Sequence, residues 1–384
     1  MASKIDLTEF TLLQTNQTDH PIGKVDDLRF DWIMAIASIW WLGGLFVDGW
    51  AHSNLPRLET FFTPWHAILY SGFLAVATTL VMKTVNNLQQ AAPSGRTDGK
   101  APFWVMMRRS IRGAGWLQAI PTGYELSLLG VVIFAVSGVG DLTWHMLFGI
   151  ERDIEALLSP THLGLALGVG LALSGPLRAA WHRQDSVERS SWRQLLPALL
   201  SLTFTLSLLT FFTEYASPLV HPWATADANI FDGNGAALGI TDILLQTGLL
   251  MGFVLLALRR WRLPMGTFTF VFTLNAGLMA AFRPDVVVFL LPSVLLGGLA
   301  TDLLYRRLRP SEASPERVRL FAFMVPAILY LLYFLNLAIA GATLWQSSIR
   351  WSVHFWAGSI VMAGIVGFLL SYVMIPPTKK ASHR

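Results

Sequence analysis

The sequence predicts an all-α, polytopic membrane protein of about ten transmembrane helices, and three observations carry that prediction. First, 53% of the 384 residues are hydrophobic and only 14% are charged, whereas a soluble domain carries about a quarter charged residues. Second, the apolar residues fall in runs of about 17–25, the length that crosses a bilayer as a helix. Third, the basic residues collect in alternate connections between those runs, the pattern that fixes orientation in a membrane.

Taken in order, the spans are expected near 30–49, 61–83, 124–146, 159–177, 195–213, 237–258, 265–282, 285–304, 319–343 and 352–374. The second and fourth open on Thr63-Pro64 and Ser159-Pro160. A hydroxyl residue can cap a first turn, and proline is tolerated there because its missing N–H would go unpaired anyway. Asp242 and Asn275 are polar interruptions that require a partner or water inside the bundle. The first 28 residues are polar, with no basic stretch followed by an apolar one, so insertion is expected to depend on the first span. The chain is expected to divide into an N-terminal segment (1–28), a duplicated hairpin region (29–178), a further six-helix region (179–375) and a basic tail (376–384).

Charge orients the map. Five segments (83–112, 178–193, 259–262, 306–319 and 379–384) hold 21 of the 28 basic residues, all on one side; the other side has Arg57, Arg152, Arg283 and Arg350. The positive-inside bias then places both termini in the cytoplasm, in a bilayer expected to be a bacterial inner membrane. The pI near 9.5 therefore serves topology, and no nucleic-acid partner is expected. Six histidines (52, 66, 145, 162, 221 and 354) fall at the outer ends of spans, beside Asp48, Glu59, Asp141, Glu155, Glu214, Asp227 and Asp232. An acidic, His-rich outer face favours a cation.

One pattern is written twice. Asp48-x3-His52 is followed by Glu59-x3-Thr63-Pro64-x-His66, and Asp141-x3-His145 by Glu155-x3-Ser159-Pro160-x-His162. The Asp and first His are offset by 93 positions, the Glu, Pro and second His by 96. Both hairpins run from the same side, which makes a parallel repeat. Asp-x3-His puts both side chains on one helical face, and the second His begins the returning helix opposite. A lone Asp or His at a helix end is ordinarily a cap, but caps do not require His at two fixed places in both copies. Asp48, His52, His66, Asp141, His145 and His162 are therefore the candidate metal ligands. Glu59 and Glu155 are candidate ligands, ligand-orienting partners or proton carriers in catalysis. With no cysteine, thiolate and Fe–S sites are excluded, and the donor set suits copper, iron or zinc. Glu214-x6-His221 keeps the Glu-to-His spacing without an Asp-x3-His partner.

These segments resemble the C subunit of the copper membrane monooxygenases, the methane and ammonia monooxygenase group. That subunit carries Asp-Gly-x-x-His and Phe-Thr-Pro-x-His, similar to Asp48-Gly49-Trp50-Ala51-His52 and Phe62-Thr63-Pro64-Trp65-His66. Its Asn-x3-His and Pro-x-His resemble Asp141-x3-His145 and Pro160-x-His162, with Asp141 standing where the family has Asn. The resemblance covers about residues 30–175 and implies copper at Asp48/His52/His66 and Asp141/His145/His162. It further implies oxidation of a small apolar substrate arriving through the bilayer, and partner subunits; a homo-oligomer is the alternative assembly. Alternative functions are a metal transporter or metal-capturing protein, with Asp242, Asn275 and Asp302 marking an inward path, and a zinc-dependent membrane hydrolase.

Overall fold

A computed structural model describes residues 28–55, 62–91, 115–149, 153–183, 191–225, 234–343 and 349–376. Regular structure in it is helical: α1 (Leu28–Asn54), α2 (Pro64–Ala91), α3 (Gly115–Ala119), α4 (Glu125–Phe148), α5 (Asp153–Leu158), α6 (Pro160–Leu173), α7 (Gly175–His182), α8 (Trp192–Phe212), α9 (Gly235–Arg260), α10 (Thr267–Met279), α11 (Pro284–Leu308), α12 (Pro315–Thr343) and α13 (Val353–Met374). In hydrocarbon a backbone must satisfy its own hydrogen bonds, which is why apolar runs of this length become helices. Nine stretches among the described residues are long and apolar enough to cross a bilayer, with α6 and α7 together forming one of them.

The seventh expected span, 265–282, is shorter than the sequence suggests. α10 has 13 residues, a rise of about 20 Å against the roughly 30 Å of a hydrocarbon core. Past Met279 the backbone tightens into i to i+3 bonds at Ala280, Ala281 and Phe282 before α11 starts at Pro284. The other end of α10 is fixed from outside. Asp302 of α11 accepts the backbone N–H groups of Phe268 and Thr269 and the Thr269 hydroxyl, supplying acceptors that a helix start lacks. The other polar interruptions are partnered too. Asp242 accepts the Trp223 indole N–H at 2.8 Å, and Asn275 Oδ1 accepts both the Ser207 and Thr210 hydroxyls at 2.9 Å.

Two tight hairpins organise the first half, α1 on α2 and α4 on α6. Small residues let their backbones approach: a Cβ on Gly72 would lie 2.5 Å from Trp41 Cα, and one on Gly168 would lie 2.7 Å from the Phe134 amide nitrogen. The hairpins meet through aromatic rings, with Trp41 edge-on to Phe134 at 4.9 Å and Phe73 stacked on Phe134 at 4.7 Å. α8, the most buried of the long helices, touches α1, α6, α7, α9 and α10 and so joins this half to the rest.

The two ends of the bundle differ. At one end Asp31 near the start of α1 pairs with Arg183 after α7 and accepts the Tyr124 hydroxyl, 2.7 Å away, before α4. Burial and then the Asp31 carboxylate push the Tyr124 phenol up, so it stays a donor. Arg260 reaches the Trp181 and Arg183 carbonyls at the same end. At the other end the last turns of α1, α4 and α8 and the first turns of α2 and α6 surround a cavity.

Candidate metal centre

Asp48 and His52 leave one face of the last turns of α1, and His66 faces them from the first turn of α2. Thr63 Oγ1 accepts the His66 amide at 3.2 Å with Pro64 as the first helical residue. The second copy is built alike: Ser159 accepts the His162 amide at 3.4 Å, and Pro160 opens α6. The caps therefore set the depth and direction of each returning histidine.

In each copy the Asp and both His offer one donor atom apiece within 4.8 Å of the other two. Asp48 carboxylate oxygens lie 3.8 Å from His52 Nε2 and 3.5 Å from His66 Nε2. Those of Asp141 lie 3.6 Å from His145 Nε2 and 3.0 Å from His162 Nε2. Donors each about 2.0–2.2 Å from one ion, at roughly tetrahedral or octahedral angles, are roughly 3–3.5 Å apart. The side chains present are buried or half-buried, and their Asp–His separations of 3.0–3.8 Å lie close enough to that range for a small inward shift to bring the donors onto an ion. They form two clusters capable of coordinating one each.

The tautomers argue the same way. His145 Nδ1 lies 3.2 Å from the Gly149 carbonyl and His162 Nδ1 close to the Ala156 carbonyl. A carbonyl only accepts, so both Nδ1 atoms carry the proton. A neutral ring then turns the lone pair of Nε2 toward the Asp141 carboxylate, another acceptor. A cation between them, or a second proton on the ring, relieves that opposition. Fixing one ring nitrogen by a carbonyl so that the other faces an ion is the usual support of a metal-bound histidine. Asp141 is itself held by the Thr161 hydroxyl at 2.9 Å.

Both clusters reach one cavity of about 530 Å³, lined by Asp48, His52, His66, Asp141 and His162. His145, 3.6 Å from Asp141, is outside that lining. Apolar walls come from Leu45, Leu69, Phe134, Leu165 and Val169, and α8 and the turn before α11 add Phe211, Phe212 and Phe282. Gly49 allows this closure: a Cβ there would lie 2.6 Å from the Phe211 ring.

Not every candidate converges. Glu155 is exposed on α5 and does not line the cavity. Glu59, Asp227 and Asp232 fall outside the described residues. His354 is exposed at the start of α13, away from the lining. Conversely, the chain past residue 178 contributes a wall that the duplicated motif does not announce: Phe211, Phe212, Glu214, Tyr215, His221, Trp223 and Arg283. The Glu214-x6-His221 spacing is the one trace of it in the sequence. Comparison of the chain with known protein families, with curated proteins and with solved structures finds no match.

Proposed function

We propose that the protein is a copper-dependent membrane oxidoreductase, monooxygenase-like, with paired Asp/His/His centres opening toward the extracytoplasmic side. The observation that carries the reading is the pair of clusters on a single apolar-walled cavity. Copper, once bound, supplies one-electron redox chemistry at that wall. The chain's own contribution is to hold three donors per centre and to keep Nδ1 of His145 and His162 protonated on carbonyls. It also surrounds a small apolar substrate with Phe134, Phe211, Phe212 and Phe282. The likeness of Asp48–His52 and Phe62–His66 to the copper monooxygenase C subunit supports copper over iron and zinc.

The two hairpins are read as a repeat. Trp41 and Phe134 are equivalent under the 93-residue offset, and their rings touch. Contact between equivalent positions is what a two-fold relation between hairpins produces. A transport role is disfavoured because Asp242, Asn275 and Asp302 are each engaged in the bundle, and the donor clusters sit at helix ends rather than at mid-depth.

Elemental analysis of detergent-purified protein tests the reading. With copper, iron and zinc offered together, the wild type is expected to retain copper. His52→Ala/His66→Ala and His145→Ala/His162→Ala are each expected to lose one site's share. Protein that stays metal-free sinks the metal reading, and selective retention of zinc would instead favour hydrolysis by zinc-activated water.

A further inference from the structure

The cavity has a second kind of donor on its far wall. α8 ends at Phe212, a 3₁₀ turn follows at Glu214–Ala216, and the Ser217 carbonyl accepts the amides of Val220 and His221. The reversal brings His221 Nε2 to 3.6 Å from Glu214 Oε2. Both side chains line the same cavity as the Asp/His/His clusters. The His221 ring lies nearly parallel to Trp223 at 5.9 Å, and the Trp223 indole is anchored on Asp242.

The Glu214–His221 pair is not what holds this turn. Gln246 donates to the Thr213 and Ala216 carbonyls, and Tyr333 donates to the Pro218 carbonyl. Position also separates the pair from the clusters. Side-chain exposure is 34% at His221, against 2–16% across the six cluster donors and 17% at Glu214, so His221 is the most open of these donors. The one basic side chain on the described lining, Arg283, is bound through two 3.1 Å contacts to Asp285, which offsets its charge.

We propose that Glu214 and His221 form a third, two-ligand cation site on the solvent side of the cavity, through which a divalent metal ion reaches the buried clusters. The proposal rests on the metal-centre reading above. One imidazole and one carboxylate suit a borderline divalent ion such as Co²⁺, Zn²⁺ or Cu²⁺. Two protein donors leave its remaining positions to water, so the ion is held weakly and released inward to three-donor sets. A negatively charged wall raises the local concentration of the cation and its rate of capture.

The test uses chelator-stripped, full-length protein in detergent, titrated with Co²⁺ and followed by its visible spectrum and by equilibrium dialysis. Wild type is expected to take up two tight equivalents and a third, weak one. Glu214→Gln/His221→Ala is expected to keep the two tight equivalents, which also shows that it folds, and to lose the weak one. Its tight sites should fill more slowly, on the order of tenfold, the low end of what a charged cleft adds to an on-rate. Glu214→Gln alone, close in shape to the native side chain, is expected to show the same direction. An unchanged weak equivalent, or an unchanged filling rate, in a variant with both tight equivalents overturns the third site alone. Wild type without tight equivalents overturns the metal centre and this proposal together.

Discussion

At the scale of single residues the two clusters are unequal, and Thr161 is the reason. Its hydroxyl donates to the Asp141 oxygen that lies 3.0 Å from His162 Nε2, which restrains that carboxylate beside the ring. The equivalent position in the first copy is Trp65, whose indole instead meets Trp50 edge-on at 5.7 Å. Removing a ligand's orienting partner costs about 10–100-fold in metal affinity. Thr161→Val keeps the branched shape and deletes the hydroxyl. It is expected to weaken binding at Asp141/His145/His162 by about that factor and to leave Asp48/His52/His66 unchanged in a two-site titration. Equal weakening of both sites, or of neither, rejects the role. The six donors were legible in the sequence because they repeat. Thr161 was not, because the position between proline and histidine differs between the copies, and only the folded connection through α5 shows what its hydroxyl reaches.

At the scale of helices, the clusters depend on how closely each hairpin closes. Lipid offers helices no hydrophobic drive to associate, so close backbone approach does the work. Gly44 and Gly72 give α1 and α2 two such approaches: added Cβ atoms would stand 2.8 Å from Leu69 Cα and 2.5 Å from Trp41 Cα, both backbone atoms that cannot swing aside. Gly72→Ala must therefore push the helices apart, at about 1–3 kcal/mol for overpacking, and the Asp48/His52/His66 cluster widens with them. A lower melting temperature in detergent is expected, with metal lost from the first centre before the second. Gly43→Ala is the control, since nothing lies within 4 Å of its added Cβ; a melting temperature equal for both variants rejects the packing argument. Span positions were readable from hydropathy because length and apolarity alone decide whether a segment crosses. The short α10 was not, since its start depends on Asp302 from α11. Nor was the central place of α8, which follows from which faces fit together.

At the scale of the whole molecule, the charge pattern and the cavity together predict a direction. The basic end carries Arg178, Arg183, Arg260, Arg306 and Arg307 among the described residues, while the acidic, His-rich cavity lies at the opposite helix ends. The positive-inside bias predicts that the cavity opens outside the cytoplasm, where under the function proposed above metal and substrate would reach it without crossing the basic face. The absence of native cysteine makes this directly measurable, because a single introduced thiol reports one position. Ser352 is exposed, and nearby Arg350 donates its amide to the Ala224 carbonyl, which sets that segment beside the cavity turn. Ser311 is exposed in the connection between α11 and α12, a full helix away from Arg283 on the cavity wall. In sealed cells a membrane-impermeant maleimide is expected to label Ser352→Cys, and to reach Ser311→Cys only after the bilayer is opened. The reverse pattern inverts the orientation and moves metal loading to the cytoplasm. Labelling of both from one side breaks the span count between α11 and α13, because α12 is the one crossing that separates the two positions.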